Sequence, residues 1–222
     1  MNNIKTFENF NNQDIFTHIK YNDIKSIKDY IDSGYDLNIK DDNGYTLLVY
    51  STLYNRIKII ELLLNAGADI DNQDNNGDTV LILAARRNNI KIIKLLLNSG
   101  ADINKKNNAG NTALFLASYE NYKEIVKLLL NAGADIDKQN TEGNTALISS
   151  SVKDNREIIE LLLDYGADEF ILDYDNKSFY DYLNMENKKY FLHKYPTSVY
   201  NAIYHEYKKS FVEFVKDYNI KN

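Results

Sequence analysis

The sequence predicts an all-α solenoid in which helix–turn–helix units stack side by side. Two interleaved glycine series with a constant step of 33 residues carry this prediction. The first series lies in "NGYT", "NGDT", "AGNT" and "EGNT" (Gly44, Gly77, Gly110 and Gly143). The second lies in "SGYD", "AGAD", "SGAD", "AGAD" and "YGAD" (Gly34, Gly67, Gly100, Gly133 and Gly166). Periodicity of this length is typical of repeat proteins whose units bury one another.

The unit at 41–73 shows how each element is predicted. "DDNGYT" is a tight turn, because Gly44 can adopt positive φ and Thr46 can cap the helix that follows. "LLVYSTLY" is short and apolar, which predicts a first helix of about two turns. "NRIKIIELLLNAG" predicts a second helix that is buried on more than one side and ends before Gly67. The remaining "ADIDNQDNNG" is expected to run in extended form to the next turn.

The residues of a later copy carry a resemblance to a known family. "GNTALFLASYENYKEIVKLLLNAGADIDKQ" resembles an ankyrin repeat, whose pattern is G-x-T-P-L-H-x-A-A followed by E-I-V-x-L-L-L-x-x-G-A-D. The match extends over four copies, at 41–73, 74–106, 107–139 and 140–172. All four lack the Pro and the His of T-P-L-H. The missing His predicts that the usual hydrogen bonds bracing the turn are lost and that the units are less stable.

Weaker copies are predicted at both ends, so that the solenoid is capped. After an N-terminal extension at 1–12, residues 13–40 form a degenerate N-capping repeat with a more polar second helix. Residues 173–222 are assigned to a degenerate C-capping repeat followed by a C-terminal helix after Pro196. The apolar stripe of that helix favours covering the end of the stack, and recruiting a second partner is the alternative.

The composition limits which kinds of partner and which cellular compartments are compatible with this chain. A net charge of −6 argues against nucleic acid or an anionic membrane as the main partner. The chain has no cysteine, which excludes disulfides and thiolate metal sites. No stretch resembles a signal peptide or a transmembrane segment, so we expect a soluble, cytoplasmic protein. We also expect the protein to be monomeric by itself. Delivery into a host cell stays open as an alternative.

No catalytic, metal or cofactor motif is recognisable. Aligning Gly77 with the glycine of a calcium-binding loop places Leu83 at the position that requires a Glu ligand. His18, His193 and His205 stand outside any motif, and "SSS" at 149–151 falls where close helix packing needs small residues. We therefore predict a non-enzymatic protein-interaction module without cofactors. An inhibitor that occludes a partner enzyme, and an enzymatic activity in 175–222, are the alternatives.

The candidate binding residues lie where the copies differ. The resemblance implies that the turn tips and the ends of the first helices line a concave groove that grips partner proteins. Carried onto this sequence, that groove comprises Tyr45, Asp78 and Asn111 at the tips and Tyr54, Arg86, Arg87, Tyr119, Glu120 and Lys153 at the helix ends. Tyr and Arg are enriched in binding hot spots. The alternative for Arg86 and Arg87 is that they keep the helix end soluble and pair with nearby acids.

Overall fold

The protein is described by a computed structural model over residues 12–195. Within this range eleven α-helices occur, ten of them in successive pairs. The first helices of the pairs are α1 (Asn12–Lys20), α3 (Leu47–Leu53), α5 (Val80–Arg86), α7 (Ala113–Tyr119) and α9 (Ala146–Val152). The second helices are α2 (Ile24–Asp32), α4 (Ile57–Asn65), α6 (Ile90–Asn98), α8 (Lys123–Asn131) and α10 (Arg156–Asp164), and α11 (Met185–Lys194) follows alone. The predicted all-α repeat architecture is confirmed.

The first helices form a continuous row, with α1 on α3, α3 on α5, α5 on α7 and α7 on α9. Each second helix packs against the first helix of its own pair. The first helices carry small buried side chains, which are compatible with a close approach of neighbouring backbones (Ala84, Ala85, Ala117, Ser118, Ser150 and Ser151). The hydroxyls of Ser150 and Ser151 donate to the Leu147 carbonyl, at 2.8 and 2.9 Å. The three serines at 149–151 are therefore packing residues, as predicted.

A threonine begins each first helix of the four regular units. The Thr46 hydroxyl accepts the Val49 N–H at 3.3 Å, and Thr79, Thr112 and Thr145 make the same contact in their own units. An N-cap of this kind satisfies one of the backbone donors that a helix start leaves without a partner. The predicted capping role is confirmed.

The turn between the two helices of a unit depends on a residue that the sequence analysis did not single out. Asn55, Asn88, Asn121 and Asp154 occupy this turn with φ of 55°, 55°, 61° and 57°. Asn and Asp tolerate this left-handed conformation better than other non-glycine residues. The signal was present in the sequence, because these four positions keep the step of 33 residues.

The turns between units are hairpins braced by an acidic or amide side chain. Asp41 Oδ1 accepts the N–H groups of Asn43 and Tyr45, at 2.9 and 2.8 Å. The Asp41 N–H also donates to the Tyr45 carbonyl at 3.1 Å. Asn107 and Asn140 repeat this pattern in later units. The turns are therefore braced by the side chain at the first position of each tip. The lower stability expected from the missing His stays a prediction.

The described part of the C-terminal unit has no regular first helix. Turns and a bend occupy residues 179–183 instead. The Ser178 hydroxyl donates to the Asp181 carboxylate at 2.7 Å, whereas Thr46 accepts an N–H three residues on. The N-cap contact that starts the other first helices is therefore not made. Buried side chains from this unit still belong to the common core (Phe179, Tyr180, Leu183, Phe191 and Leu192).

Parts of two predictions lie outside the described residues. The proposed N-terminal extension falls outside except for Asn12, the first residue of α1. The C-terminal helix after Pro196 and its apolar stripe fall outside entirely.

A ladder of side-chain acceptors joins consecutive units on the loop side. Asn38 Oδ1 accepts the Asp69 N–H at 2.9 Å, and Asn104 Oδ1 accepts the Asp135 N–H at 2.8 Å. Asp137 Oδ1 makes the same contact to the Asp168 N–H at 2.9 Å. Burial raises the pKa of Asp137, and the nearby charges of Asp168, Asp135 and Glu169 raise it further. The hydrogen bond that the Asp168 N–H donates acts in the opposite direction and lowers the pKa.

We expect Asp137→Asn to raise the free energy of unfolding at pH 7 by about 0.5–1 kcal/mol. The amide keeps the acceptor for the Asp168 N–H, as Asn104 does in the preceding unit, and removes a charge that the folded state disfavours. Since the folded pKa of Asp137 is raised, the ionised carboxyl destabilises the folded state fully at pH values above the folded pKa, and this penalty is lost as the pH falls through that pKa toward the ordinary value of 3.8. The advantage of the variant should therefore shrink as the pH falls from 7 toward 4.

Urea denaturation at several pH values measures this difference. The matched control is Asn104→Asp, which introduces a carboxylate at the same register and should lower stability at pH 7. Equal stability of Asp137→Asn and wild type at pH 7 would show that the carboxylate carries no penalty.

Candidate functional site

The ends of the first helices present one residue per unit at the same register. Tyr54, Arg87, Glu120 and Lys153 are the C-caps of α3, α5, α7 and α9, and we call these four residues the C-cap row. Arg87, Glu120 and Lys153 are exposed, and Tyr54 is half-buried. Since their backbone role is shared and their side chains differ in charge and size, the row is a surface that varies from unit to unit.

The predicted tip residues are not equally accessible. Tyr45 and Asn111 are half-buried, and Asn111 Oδ1 accepts a hydrogen bond from Asn140 Nδ2 of the next tip at 3.1 Å. Asp78 is fully buried, with 0% of its surface exposed. The expectation that Asp78 is available to a partner is therefore wrong. A position that varies between copies is therefore exposed only where its side chain makes no contact inside the stack.

Asp78 is buried because Arg86 and Asn107 surround its carboxylate. Arg86 Nη1 lies 2.8 Å from Asp78 Oδ2, and Arg86 Nη2 donates to Asp78 Oδ1 at 3.3 Å. Asn107 Nδ2 donates to the same Oδ1 at 2.8 Å. Arg86 thus joins the end of α5 to the hairpin tip of its own unit, which agrees with the alternative that it pairs with a nearby acid. Sequence reasoning did not name Asp78 as that acid, because the two residues are eight positions apart, one at the hairpin tip and the other at the end of α5.

We expect Arg86→Ala to destabilise the protein by about 1–3 kcal/mol, because a buried carboxylate loses its cation. The arginine side chain is 44% exposed, which keeps the expected cost below that of a fully buried pair. Thermal or urea denaturation measures the effect.

A second substitution separates charge from packing. Asn111 occupies the register of Asp78 in the next unit and accepts from Asn140 as Asp78 accepts from Asn107. Arg86→Ala combined with Asp78→Asn should therefore recover most of the lost stability. A double variant as unstable as Arg86→Ala alone would contradict the charge argument.

Tyr119 and Lys153 come together across two units. The Lys153 ammonium lies 4.3 Å from the centroid of the Tyr119 ring. A hydrogen bond to the Tyr119 hydroxyl raises the pKa of Lys153, and the charge of Glu120 contributes in the same direction. This geometry places an aromatic face, a cation and an anion beside one another at the ends of α7 and α9.

An aromatic cluster at the N-terminal end of the row was missed by the sequence analysis. The Phe16 and Tyr50 rings are 5.1 Å apart in an edge-to-face arrangement, and the Tyr50 and Tyr54 rings are also 5.1 Å apart. Tyr54 was predicted as a site residue, whereas Phe16 and Tyr50 were not. The spacing of Tyr50 and Tyr54 at i and i+4 on a helix is the signal that could have found the pair.

The two histidines within the described residues give no sign of a catalytic or metal centre. His18 Nδ1 lies 3.0 Å from Asp23 Oδ2, beside the N-terminus of α2. His193 is exposed near the end of α11, and His205 falls outside the described residues. Across residues 12–195 no group of three or more His, Asp or Glu side chains is arranged to hold a metal ion. No helix in this same range is long and apolar enough to cross a membrane.

Comparison with known proteins agrees with this architecture. A family profile described as ankyrin repeats in three copies matches residues 15–107 and 104–173. No curated protein matches the chain. Ankyrin repeats are generally protein–protein interaction modules and are typically non-enzymatic. Because the two matched stretches together span well over half of the 222 residues, the chain belongs to the ankyrin repeat family.

Proposed function

We propose that the protein binds a partner protein through the C-cap row and the neighbouring Tyr119. The observation that carries this proposal is the contrast within each first helix. The threonine caps and the small packing residues recur from unit to unit, whereas the C-cap row changes from Tyr to Arg to Glu to Lys. The repeated backbone holds these side chains at one register, while their charge and size vary from unit to unit. Such a surface suits the recognition of a specific order of side chains on a partner protein.

Arg87 and Tyr119 are the expected anchors of this contact. Both are residue types enriched in binding hot spots, and an arginine presents a planar fork that suits carboxylates. Arg87 is exposed at the end of α5, whereas its neighbour Arg86 is engaged by Asp78. Arg86 therefore has a structural role within the unit, and Arg87 is the arginine that contacts a partner.

Affinity capture from the protein's own cell, followed by titration of the purified captured protein, tests this proposal. Arg87→Ala and Tyr119→Ala should each weaken binding, by about thirtyfold where the residue is a true hot spot. Their melting temperatures should stay close to wild type. The control is Lys91→Ala, an exposed position on α6 that should leave binding unchanged. If Lys91→Ala weakens the complex and Arg87→Ala does not, the partner uses the face formed by the second helices.

A further inference from the structure

A pocket of about 220 Å³ opens between α1 and the first hairpin tip. The described residues that line it are Phe16, Thr17, Asp41, Asp42, Asn43 and Tyr50. It adjoins the first member of the C-cap row, because Tyr50 contacts Tyr54 through their rings. The pocket therefore continues the proposed binding surface toward the N-terminal end of the stack.

One wall of the pocket is aromatic. Phe16 packs edge-to-face on Tyr50, and Tyr50 is half-buried. At the register of Tyr50 the following units have Leu83, Leu116 and Ser149, so this wall is a property of the first regular unit. The face of an aromatic ring attracts a cation, and the attraction grows when the site is shielded from water.

The other wall is acidic. Asp41 is held in place because its Oδ1 accepts two backbone N–H groups of its own hairpin. The pKa of Tyr50 is raised by burial first, then by Tyr54, and the charge of Asp41 adds to the rise. The field of the Asp41 carboxylate therefore reaches the Tyr50 side chain. Asp42 is exposed beside it.

In the next unit, a cation from the first helix neutralises a carboxylate of the hairpin tip. There Arg86 reaches from the end of α5 and binds the Asp78 carboxylate. At the register of Arg86 the first regular unit has Leu53, which carries no charge. The first regular unit has Tyr45 at the register of Asp78, and its carboxylates Asp41 and Asp42 stand at the registers of Asp74 and Asn75. Its first helix therefore offers no cation to the two carboxylates of its hairpin tip.

We propose that this pocket accepts a lysine or arginine side chain of the partner protein, held between the Asp41 and Asp42 carboxylates and the ring of Tyr50. This inference rests on the proposed function and adds to it a basic residue in the bound segment. Charge complementarity and the aromatic wall together favour a cation over an apolar anchor.

Selection of a random 12-residue peptide library against the immobilised full chain tests the inference. Enriched peptides should carry Lys or Arg at one fixed position, and changing that residue to Ala should weaken binding by about tenfold. Asp42→Asn and Tyr50→Leu should abolish the preference for a basic residue. Both introduce side chains that the next unit has at the same register, Asn75 and Leu83, so the fold should be kept. Glu124→Gln, which removes one exposed negative charge on α8, is the control and should leave the preference intact.

Two outcomes would overturn the inference alone. One is enrichment of peptides without a basic consensus, and the other is a basic preference that survives in both pocket variants. Failure to enrich any peptide would overturn the proposed function and the pocket assignment together.

Discussion

Leu114→Ala is expected to lower the free energy of unfolding by about 2–5 kcal/mol, as truncations of buried leucines do. Leu114 lies in α7 and is 2% exposed. α7 packs against α5 on one side and α9 on the other, so the cavity left by the truncation opens between helices that are held from both directions. The surroundings can therefore collapse only in part, and the cost includes the cavity as well as the lost burial.

Urea denaturation measures this effect, and Leu147→Ala repeats it one unit later, at 1% exposure. The surface control is Lys127→Ala on α8, which should stay within about 0.5 kcal/mol of wild type. If both leucine variants also stay within that range, the first helices are not packed as described.

Much of the fold could be predicted from the sequence because its determinants are local and repeat. A threonine that caps a helix acts on an N–H three residues away, so the position of Thr46 in the motif is enough to predict its contact. The glycines of both series adopt positive φ, as the repeating pattern indicates. Stacking then follows, since neither helix of a unit can bury its own apolar surface alone.

The candidate site could be predicted only in outline, because its contacts depend on how far side chains reach between elements. Asp78 varies between copies as a surface residue would, yet Arg86 and Asn107 bury it. Phe16 and Tyr50 belong to different units and meet only once α1 stacks on α3. The periodicity places each of these residues on an element but does not specify which of them touch.

Gly110→Val is expected to destabilise the protein by more than about 2 kcal/mol, through two separate effects. Gly110 has φ of 75°, a left-handed conformation that costs a residue with a Cβ about 1–2 kcal/mol. A Cβ at this position would also lie 2.7 Å from the Thr141 nitrogen and 2.9 Å from the Asn140 carbonyl carbon. Both contacts are to backbone, which cannot move aside as the end of a flexible side chain could. Relieving them would displace the Thr141 N–H, which donates to the Ala109 carbonyl at 3.1 Å and joins the two hairpins.

Gly133→Val measures the first effect alone, so the difference between the two variants isolates the second. Gly133 has φ of 87°, but a Cβ there would meet nothing within 4 Å. Its substitution should therefore cost the backbone strain alone, and urea denaturation should find Gly110→Val less stable by at least about 1 kcal/mol. Equal losses for the two variants would mean that neighbouring hairpins are not in close contact at Gly110. A larger loss at Gly110 would locate the coupling between consecutive units in their hairpin tips as well as in their helices.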